Sequence, residues 1–328
     1  MHHTFSQDSR SGEPTTSEAS GATVRREPVP PAVAVEHLTK RYGPTVAVDD
    51  LSFAIRPGTI SGFLGPNGAG KTTTFRMLVG LATPSSGNAR VFGRPYASLK
   101  DPIRRVGALL EVSGYHPSRT GRNHLRLLAR TAGIPDTRAD ELLALVGLEY
   151  AGDRAVGGYS SGMRQRLGLA AALLGDPELL LLDEPANGLD PKGMRWLREF
   201  LRGLAHDQGT TVFVSSHVLA EVAQLVDEVV IINKGRLVTQ DSIDSVTTHV
   251  GATVAVRSPE VARLADVLAE RGAAVAVNGH NRLLVSGIRI EDVGRLAAAH
   301  DVVLYGLSEE GLSLEETFLA LTTPEAQP

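Results

Sequence analysis

The spacing of hydrophobic and polar residues divides this chain of 328 residues into three parts. Residues 1–31 are rich in Ser, Thr, Glu, Gly and Pro and have almost no large apolar side chains, which predicts a disordered tail. Residues 32–246 alternate between short apolar runs and stretches of helical periodicity. Residues 247–328 carry a shorter alternation of their own. We therefore expect a main domain at 32–246 and a small α+β domain at 247–328.

The main domain has the pattern of an α/β protein with a parallel sheet. The alternation of strands and helices is interrupted by an all-helical insert at about residues 118–175, where apolar stripes recur with helical spacing. The predicted strands are Val33–Val35, Val46–Ile55, Thr59–Leu64, Ala89–Phe92, Val106–Glu111, Leu179–Leu182, Thr211–Ser215 and Val229–Ile232. The predicted helices outside the insert are Lys71–Leu81, Pro191–Leu204 and Leu219–Leu225.

The C-terminal part has the order βαββαβ, which suggests a small ferredoxin-like fold. A further amphipathic segment, Glu315–Leu319, is expected to pack as a helix on its own domain. The predicted strands are Val254–Val256, Ala274–Val277, Leu283–Val285 and Val302–Tyr305, and the predicted helices are Pro259–Arg271 and Ile290–His300.

Composition restricts the class of protein. The hydrophobic content of 42% is enough for a sizeable core. The absence of cysteine excludes disulfides, thiol nucleophiles and Cys-zinc sites. The net charge of −4 argues against nucleic acid as a partner. Because no apolar run approaches the roughly 18 residues of a membrane helix, and no signal peptide is evident, we expect a cytoplasmic protein that is at most peripheral to a membrane.

The strongest chemical signal lies between the strand at Thr59–Leu64 and the helix that follows it. The spacing Gly-x-x-x-x-Gly-Lys-Thr in this context predicts a loop that binds the phosphates of a nucleoside triphosphate. Its lysine would reach the β- and γ-phosphates, and the threonine after it would ligate Mg²⁺. The residues of the loop are Gly65, Pro66, Asn67, Gly68, Ala69, Gly70, Lys71, Thr72 and Thr73.

A second signal is a buried strand that ends in two acids, Asp183 and Glu184. The first carboxylate is placed to hold Mg²⁺ and the second to orient or deprotonate an attacking water. Taken alone, an exposed Asp-Glu-Pro turn would explain the same residues.

Three further segments surround the acid pair. Tyr159–Arg166 opens a helix with Ser160 as its N-cap, a pattern that an ordinary capped helix also shows. Residues 186–191 (Ala-Asn-Gly-Leu-Asp-Pro) open the next helix. Ser215-Ser216-His217 ends a strand, where a histidine is more often structural than catalytic unless the preceding motifs accompany it.

The order of these motifs over about residues 33–240 resembles the nucleotide-binding subunits of ABC transporters, and most of all those of drug, antibiotic and bacteriocin exporters. The resemblance implies a P-loop NTPase core with a parallel sheet, an antiparallel β subdomain and the helical insert. It also implies ATP hydrolysis with ATP and Mg²⁺.

The same resemblance implies roles for individual residues. Tyr42 would stack on adenine, although a tyrosine in a turn is the plain alternative. Asp183 would be a magnesium ligand, Glu184 the catalytic base and His217 a sensor of the γ-phosphate. Of the remaining positions, Ser160 and Gly162 would act in trans on ATP held by the opposite subunit, and Asp190 would lie at the dimer interface.

Three residues depart from the family pattern. Glu111 stands where many relatives have Gln, and as a carboxylate it would still ligate Mg²⁺. Ser161 replaces a common Gly and Met163 a common Gln. These changes are expected to affect the tuning of hydrolysis more than its existence.

The resemblance also implies partners. An integral-membrane permease would be a separate chain, docked on Glu111–Leu125 at the inner face of the cell membrane, and that segment is equally explained as a surface loop. The ATPase would form a homodimer, or a heterodimer with a related chain, and would power export of a drug, antibiotic, peptide or lipid-like substrate. Two other functions remain open: a soluble ABC-type ATPase acting on ribosomes or nucleic acid, and a nucleotide-gated scaffold or resistance protein without transport.

Overall fold

The structure, a computed structural model, describes residues 30–110, 114–218, 222–249, 253–277 and 281–310. Most of the predicted tail at 1–31, the segment Glu315–Leu319 and part of the predicted helix Leu219–Leu225 lie outside these residues. In the described part of the chain, no helix combines the length and the apolar character that crossing a membrane requires.

The central sheet consists of six strands in the order β5-β6-β7-β3-β8-β9, within the described residues. All neighbours pair in parallel except β9, which is antiparallel at one edge. The central strand β3 is buried along its whole length, as a parallel strand covered on both faces should be. The strands are β3 (Ile60–Leu64), β5 (Val106–Leu109), β6 (Leu179–Leu182), β7 (Thr211–Ser216), β8 (Glu228–Asn233) and β9 (Arg236–Ser242).

A second, antiparallel sheet has the order β2-β1-β4. Four phenylalanines, with ring centroids 5.1–5.7 Å apart, join it to the central sheet. These are Phe53, Phe63, Phe75 and Phe213. The strands are β1 (Val33–Tyr42), β2 (Thr45–Ile55) and β4 (Ser86–Val91).

The helix that carries Phe75 packs on the side of the antiparallel sheet, whereas the remaining helices of this part pack on the other side of the central sheet or form the insert. Side chains cap three of them: the Thr120, Ser160 and Asp190 oxygens accept hydrogen bonds from backbone N–H groups of the first turn. The helices are α1 (Lys71–Leu78), α2 (Pro102–Arg105), α3 (Gly121–Thr131), α4 (Thr137–Leu145), α5 (Ser161–Ala172), α6 (Pro191–Arg202) and α7 (Ile243–His249). A π-helical turn at Gly203–Asp207 extends α6.

The C-terminal region forms a separate antiparallel sheet in the order β11-β12-β10-β13, with its own apolar cluster. The order of elements is βαββαβ, as the sequence suggested. The elements are β10 (Thr253–Arg257), α8 (Val261–Ala269), β11 (Ala274–Val277), β12 (Arg282–Ser286), α9 (Ile290–Ala299) and β13 (Gly306–Glu310).

The predicted α/β alternation is confirmed, and one predicted strand is wrong. The predicted strand Val302–Tyr305 is not a strand, and the last strand of the described residues begins at Gly306. Val302 instead packs into the core as the chain leaves α9, and the Tyr305 N–H then donates to the Arg257 carbonyl at 2.7 Å. The apolar run was therefore a buried connection, which periodicity does not distinguish from a strand. In addition, α1 ends at Leu78, three residues before the predicted end.

Candidate functional site

The phosphate loop joins β3 to α1 and needs glycine at two crowded positions. A Cβ at Gly65 would lie 2.5 Å from the Ile232 carbonyl oxygen. At Gly70, where φ is 106°, it would lie 2.6 Å from the Ala47 carbonyl oxygen. Larger residues would push the loop away from β8 and β2, so both glycines hold the loop against the sheets.

Lys71, the first residue of α1, is almost fully buried. Its Nζ donates to the carbonyl oxygens of Gly65 at 2.7 Å and Pro66 at 3.4 Å. The same Nζ lies 3.2 Å from Glu184 Oε1. The lysine is therefore folded back across its own loop and neutralised by one carboxylate.

The next residue of α1 connects the loop to the end of β6. The Thr72 hydroxyl donates to Asp183 Oδ2 at 2.6 Å, and the Ser215 hydroxyl donates to Asp183 Oδ1 at 2.5 Å. Asp183 is buried, and its N–H donates to the Leu109 carbonyl at 2.8 Å. Both carboxylate oxygens are thus fixed by hydroxyl donors from neighbouring elements.

Glu184 has an unusual backbone. Its φ of 49° is in the left-handed region, which costs a non-glycine residue about 1 kcal/mol or more. Ser215 Oγ accepts the Glu184 N–H at 2.9 Å and holds this conformation. Glu184 Oε2 lies 2.8 Å from His217 Nδ1, so the carboxylate bridges Lys71 and His217. Strain that the surroundings hold in place is typical of functional positions.

These side chains line one cavity of about 430 Å³. Tyr42 is half exposed at its edge, and the Lys40 ammonium lies 4.8 Å from the tyrosine ring centroid. Of the predicted residues, Gly65, Pro66 and Asp183 contact the lining residues without lining the cavity themselves. The lining consists of Tyr42, Ala47, Asn67, Gly68, Ala69, Gly70, Lys71, Thr72, Thr73, Glu184, Asn187 and His217.

The helix-opening residues Ser160, Gly162 and Asp190 line a different cavity, of about 350 Å³. It shares no residue with the first cavity. Ser161 Oγ donates to the Gly188 carbonyl at 3.0 Å, which joins the start of α5 to the loop before α6. Met163 lines the same cavity. Within one chain, the structure therefore does not bring these residues to the phosphate loop.

The segment predicted to dock a permease begins at Glu111, which lies outside the described residues. Farther along it, the Tyr115 hydroxyl donates to the Arg164 carbonyl at 3.2 Å, and the Tyr115 ring meets His124 edge-on at 4.8 Å. Burial raises the pKa of Tyr115 to about 12. Tyr115 thus anchors this segment to α5, close to Ser160.

Two residues of the site were not assigned from the sequence. Ser215 joins Asp183 to the Glu184 backbone, and Asn187 lines the phosphate-loop cavity. Ser215 is part of the Ser-Ser-His segment that the sequence marked as a strand end. Parallel strands β6 and β7 pair side by side, so the residue that follows β6 and a residue near the end of β7 meet. That pairing is the signal that would have identified Ser215.

Hard oxygen donors at the loop suit a magnesium ion. The Thr72 hydroxyl and the Asp183 carboxylate are 2.6 Å apart and are the kind of ligand that Mg²⁺ takes from protein when phosphates supply the rest. No cluster of three or more His, Asp or Glu side chains suited to a metal occurs in the part of the chain that the structure describes.

Comparison with known proteins gives two family matches. The family model described as ABC transporter matches residues 48–187, and a domain of unknown function matches residues 252–315. A solved structure of the ATP-binding subunit of an ABC transporter is 27% identical, with a TM-score of 0.59, and covers 66% of this chain and 92% of its own.

Two curated relatives are similar over most of their length. The bacitracin transport ATP-binding protein of Bacillus licheniformis is 47% identical over 63% of this chain and 68% of its own. The daunorubicin/doxorubicin resistance ATP-binding protein of Streptomyces peucetius is 36% identical over 89% of this chain and 92% of its own. The motifs, the α/β architecture and these similarities together show that the chain belongs to the ATP-binding proteins of ABC transporters, in the branch of drug and antibiotic exporters, and is an ATPase.

Proposed function

We propose that two copies of the chain face each other head to tail and enclose two ATP molecules. The observation that carries this proposal is the separation of Ser160 and Gly162 from the phosphate-loop cavity. A two-fold arrangement would place each pair opposite the loop of the other copy and would make two equivalent sites. Asp190, which lines the same cavity as Ser160, would then lie at the interface.

In each site, phosphates would replace the internal partners of Lys71. The ammonium group now contacts two loop carbonyls and Glu184, and a γ-phosphate offers it a stronger, charged acceptor. When Lys71 turns to the phosphate, Glu184 loses its cation and keeps His217. The carboxylate is then able to accept a proton from the attacking water, which is the role of a general base.

The remaining residues would hold the nucleotide. Asn67 to Thr73 would wrap the phosphates with backbone N–H groups, and Tyr42 would stack on the adenine. Thr72 and Asp183, with Glu111 as a third candidate, would hold Mg²⁺, which neutralises phosphate charge when bound. His217 would contact the γ-phosphate through the ring nitrogen that does not face Glu184.

The closing and opening of the dimer would drive a separate membrane permease. The names of the relatives support this, because they refer to bacitracin transport and to daunorubicin and doxorubicin resistance. We infer export of a drug, antibiotic, peptide or lipid-like compound from the inner face of the cell membrane. The segment around Tyr115 would receive the permease, since it is tied to α5 next to Ser160.

The dimer is tested with Glu184→Gln. This variant should bind ATP, hydrolyse it at least about a hundredfold more slowly and elute as a dimer only with ATP. Trp196, the only tryptophan, lies over the Arg166 guanidinium at 3.9 Å, and Arg166 lines the Ser160 cavity. Its fluorescence should therefore change on dimer formation. An ATP-bound monomer with unchanged fluorescence would refute the head-to-tail arrangement.

The permease is tested by purifying the tagged chain from detergent-solubilised membranes and identifying its partners by mass spectrometry. A stoichiometric, strongly hydrophobic partner is the expected result. Recovery with ribosomes or nucleic acid instead would leave the ATPase site intact but would contradict the transport function.

A further inference from the structure

Ser161 lies between two residues that line the Ser160 cavity, Ser160 and Gly162, but it does not line that cavity itself. Its hydroxyl donates instead to the carbonyl oxygen of Gly188 at 3.0 Å. Among the residues that the structure describes, this is the single hydrogen bond between the first turn of α5 and residues 185–190. The proposed function assigns no role to this side chain.

The connection from β6 to α6, which contains Gly188, passes between the two cavities. Asn187 lines the phosphate-loop cavity, whereas Leu189 and Asp190 line the Ser160 cavity. Gly188 stands between them in the chain and lines neither cavity. A displacement of Gly188 would therefore move residues of both cavities.

The backbone of this connection is least restrained at Gly188. A tight turn follows Glu184, because the Asn187 N–H donates to the Glu184 carbonyl at 3.2 Å. At Gly188, φ is 74°, in the left-handed region that glycine adopts at little cost. Glycine also has more backbone freedom than any other residue, so a contact from outside the connection is needed to fix its carbonyl. Ser161 supplies that contact.

Ser160, by contrast, is held without help from Ser161. Its Oγ accepts the Met163 N–H at 3.2 Å as the N-cap of α5. This bond lies within the start of the helix and involves no residue of the connection from β6 to α6. Loss of the Ser161 hydroxyl should therefore disturb Gly188 and its neighbours in the chain more than Ser160.

We propose that Ser161 is a positioning residue that acts on the ATP site of its own chain. By holding Gly188, it fixes Asn187 and the turn that follows Glu184. The inference rests on the proposed function, because it takes Glu184 as the general base and the head-to-tail dimer as the active form. Two adjacent serines then serve different sites: Ser160 contacts ATP held by the other copy, and Ser161 supports the site of its own copy.

Ser161→Ala removes the hydroxyl and keeps the helix, since alanine is the best helix former. We expect kcat for ATP hydrolysis to fall roughly three- to tenfold, the effect of one neutral hydrogen bond. KM for ATP should change less than about twofold, because the phosphate loop is untouched. Ser161→Thr keeps a hydroxyl at the same position and should retain at least about half of the wild-type kcat.

Ser98→Ala is the matched control. Ser98 is also exposed, its hydroxyl also donates to a backbone carbonyl, that of Pro95 at 2.8 Å, and it lines neither cavity. Its kcat should equal that of the wild type. Urea midpoints of all variants show whether any loss of activity follows from a loss of folding stability, which the proposal does not expect for Ser161→Ala.

Mixed dimers identify the site on which Ser161 acts. A chain with intact Glu184 is mixed, before ATP is added, with roughly a twentyfold excess of the Glu184→Gln chain, so that mass action pairs nearly every hydrolysing chain with an excess chain. Ser161→Ala is placed first in the hydrolysing chain and then in the excess chain. The rate per hydrolysing chain should fall at least about threefold further in the first arrangement.

The same mixture tests the proposed dimer separately. Adding Ser160→Arg to the excess Glu184→Gln chain should abolish hydrolysis, since that chain supplies Ser160 to the working site. A rate that persists would refute the head-to-tail arrangement. The kcat comparison of the unmixed variants would still decide whether the Ser161 hydroxyl supports hydrolysis.

Three results would overturn the role of Ser161. An unchanged kcat in Ser161→Ala would show that hydrolysis does not depend on the bond to Gly188. A kcat as low in Ser161→Thr as in Ser161→Ala would show that the hydroxyl is not the group responsible. A greater loss with Ser161→Ala in the excess chain would show that Ser161 acts, like Ser160, on ATP held by the other copy.

Discussion

Ser215→Ala tests whether the end of β7 holds the two acids of the site in place. Ser215 is fully buried, and its single oxygen serves two partners. It donates to Asp183 Oδ1 at 2.5 Å and accepts from the Glu184 N–H at 2.9 Å. Alanine removes the oxygen without adding bulk, so both bonds are lost with no steric change.

The expected cost follows from the two bonds. A hydrogen bond to a charged acceptor contributes about 1.5–3 kcal/mol, and a buried N–H without a partner costs about 1–3 kcal/mol. We therefore expect Ser215→Ala to lose about 2.5–6 kcal/mol of folding stability. Among the described residues, the Asp183 carboxylate then keeps the Thr72 hydroxyl as its one donor, and Glu184 loses the contact that stabilises its positive φ. Loss of such supporting contacts typically lowers activity or metal affinity by about 10- to 100-fold.

Steady-state ATPase rates at several Mg²⁺ concentrations, together with urea denaturation, measure both effects. Ser216→Ala is the matched control: this neighbour is also buried, and among the residues that the structure describes its hydroxyl bonds with the backbone of Val218 and with neither acid. It should keep activity within about twofold, since it touches neither acid. If Ser215→Ala also retained wild-type rate and Mg²⁺ dependence, the supporting role of Ser215 would be refuted.

Three other predictions address the remaining parts of the site. Ser160→Arg should abolish turnover while monomer ATP affinity changes less than about twofold, measured by fluorescent-nucleotide binding; a large loss of affinity would place Ser160 in the same site as the loop. Tyr42→Ala should weaken ATP binding about tenfold and Tyr42→Phe hardly at all, because the ring face and not the hydroxyl would stack on adenine; equal effects of both would contradict stacking. Burial, and secondarily the charge of Arg119, lowers the pKa of His124, so the contribution of the neutral imidazole to stability is present above about pH 6.5 and is lost as pH falls. The urea midpoint of His124→Asn should therefore fall less steeply than that of the wild type between about pH 7 and 5. Identical slopes would disprove the lowered pKa of His124.

Local motifs could be predicted from the sequence because their chemistry requires residues that are neighbours along the chain. A phosphate loop is one continuous turn between a strand and a helix, so Gly65 to Thr73 could be identified from spacing alone. The α/β alternation was predictable for the same reason, since apolar runs such as Leu179–Leu182 mark strands that are buried on both faces. Where an apolar run was a connection, at Val302, the same reasoning failed.

Contacts between distant segments required the tertiary structure. Ser215 and Asp183 are 32 positions apart, and only the parallel pairing of β6 with β7 brings their side chains together. The separation of Ser160 from the phosphate loop is likewise a property of the folded chain. The trans arrangement stays a prediction from the family resemblance, and it is consistent with the two separate cavities.

The sequence by itself determined the α/β class, the nucleotide loop and the position of the acid pair Asp183 and Glu184 at the end of a strand, because each depends on residues close together in the chain. The tertiary structure alone decided the salt bridge from Lys71 to Glu184 and the hydrogen bonds from Ser215 that hold the strained backbone of Glu184. These contacts depend on sheet register, and they join segments that are far apart along the chain and share no local signal.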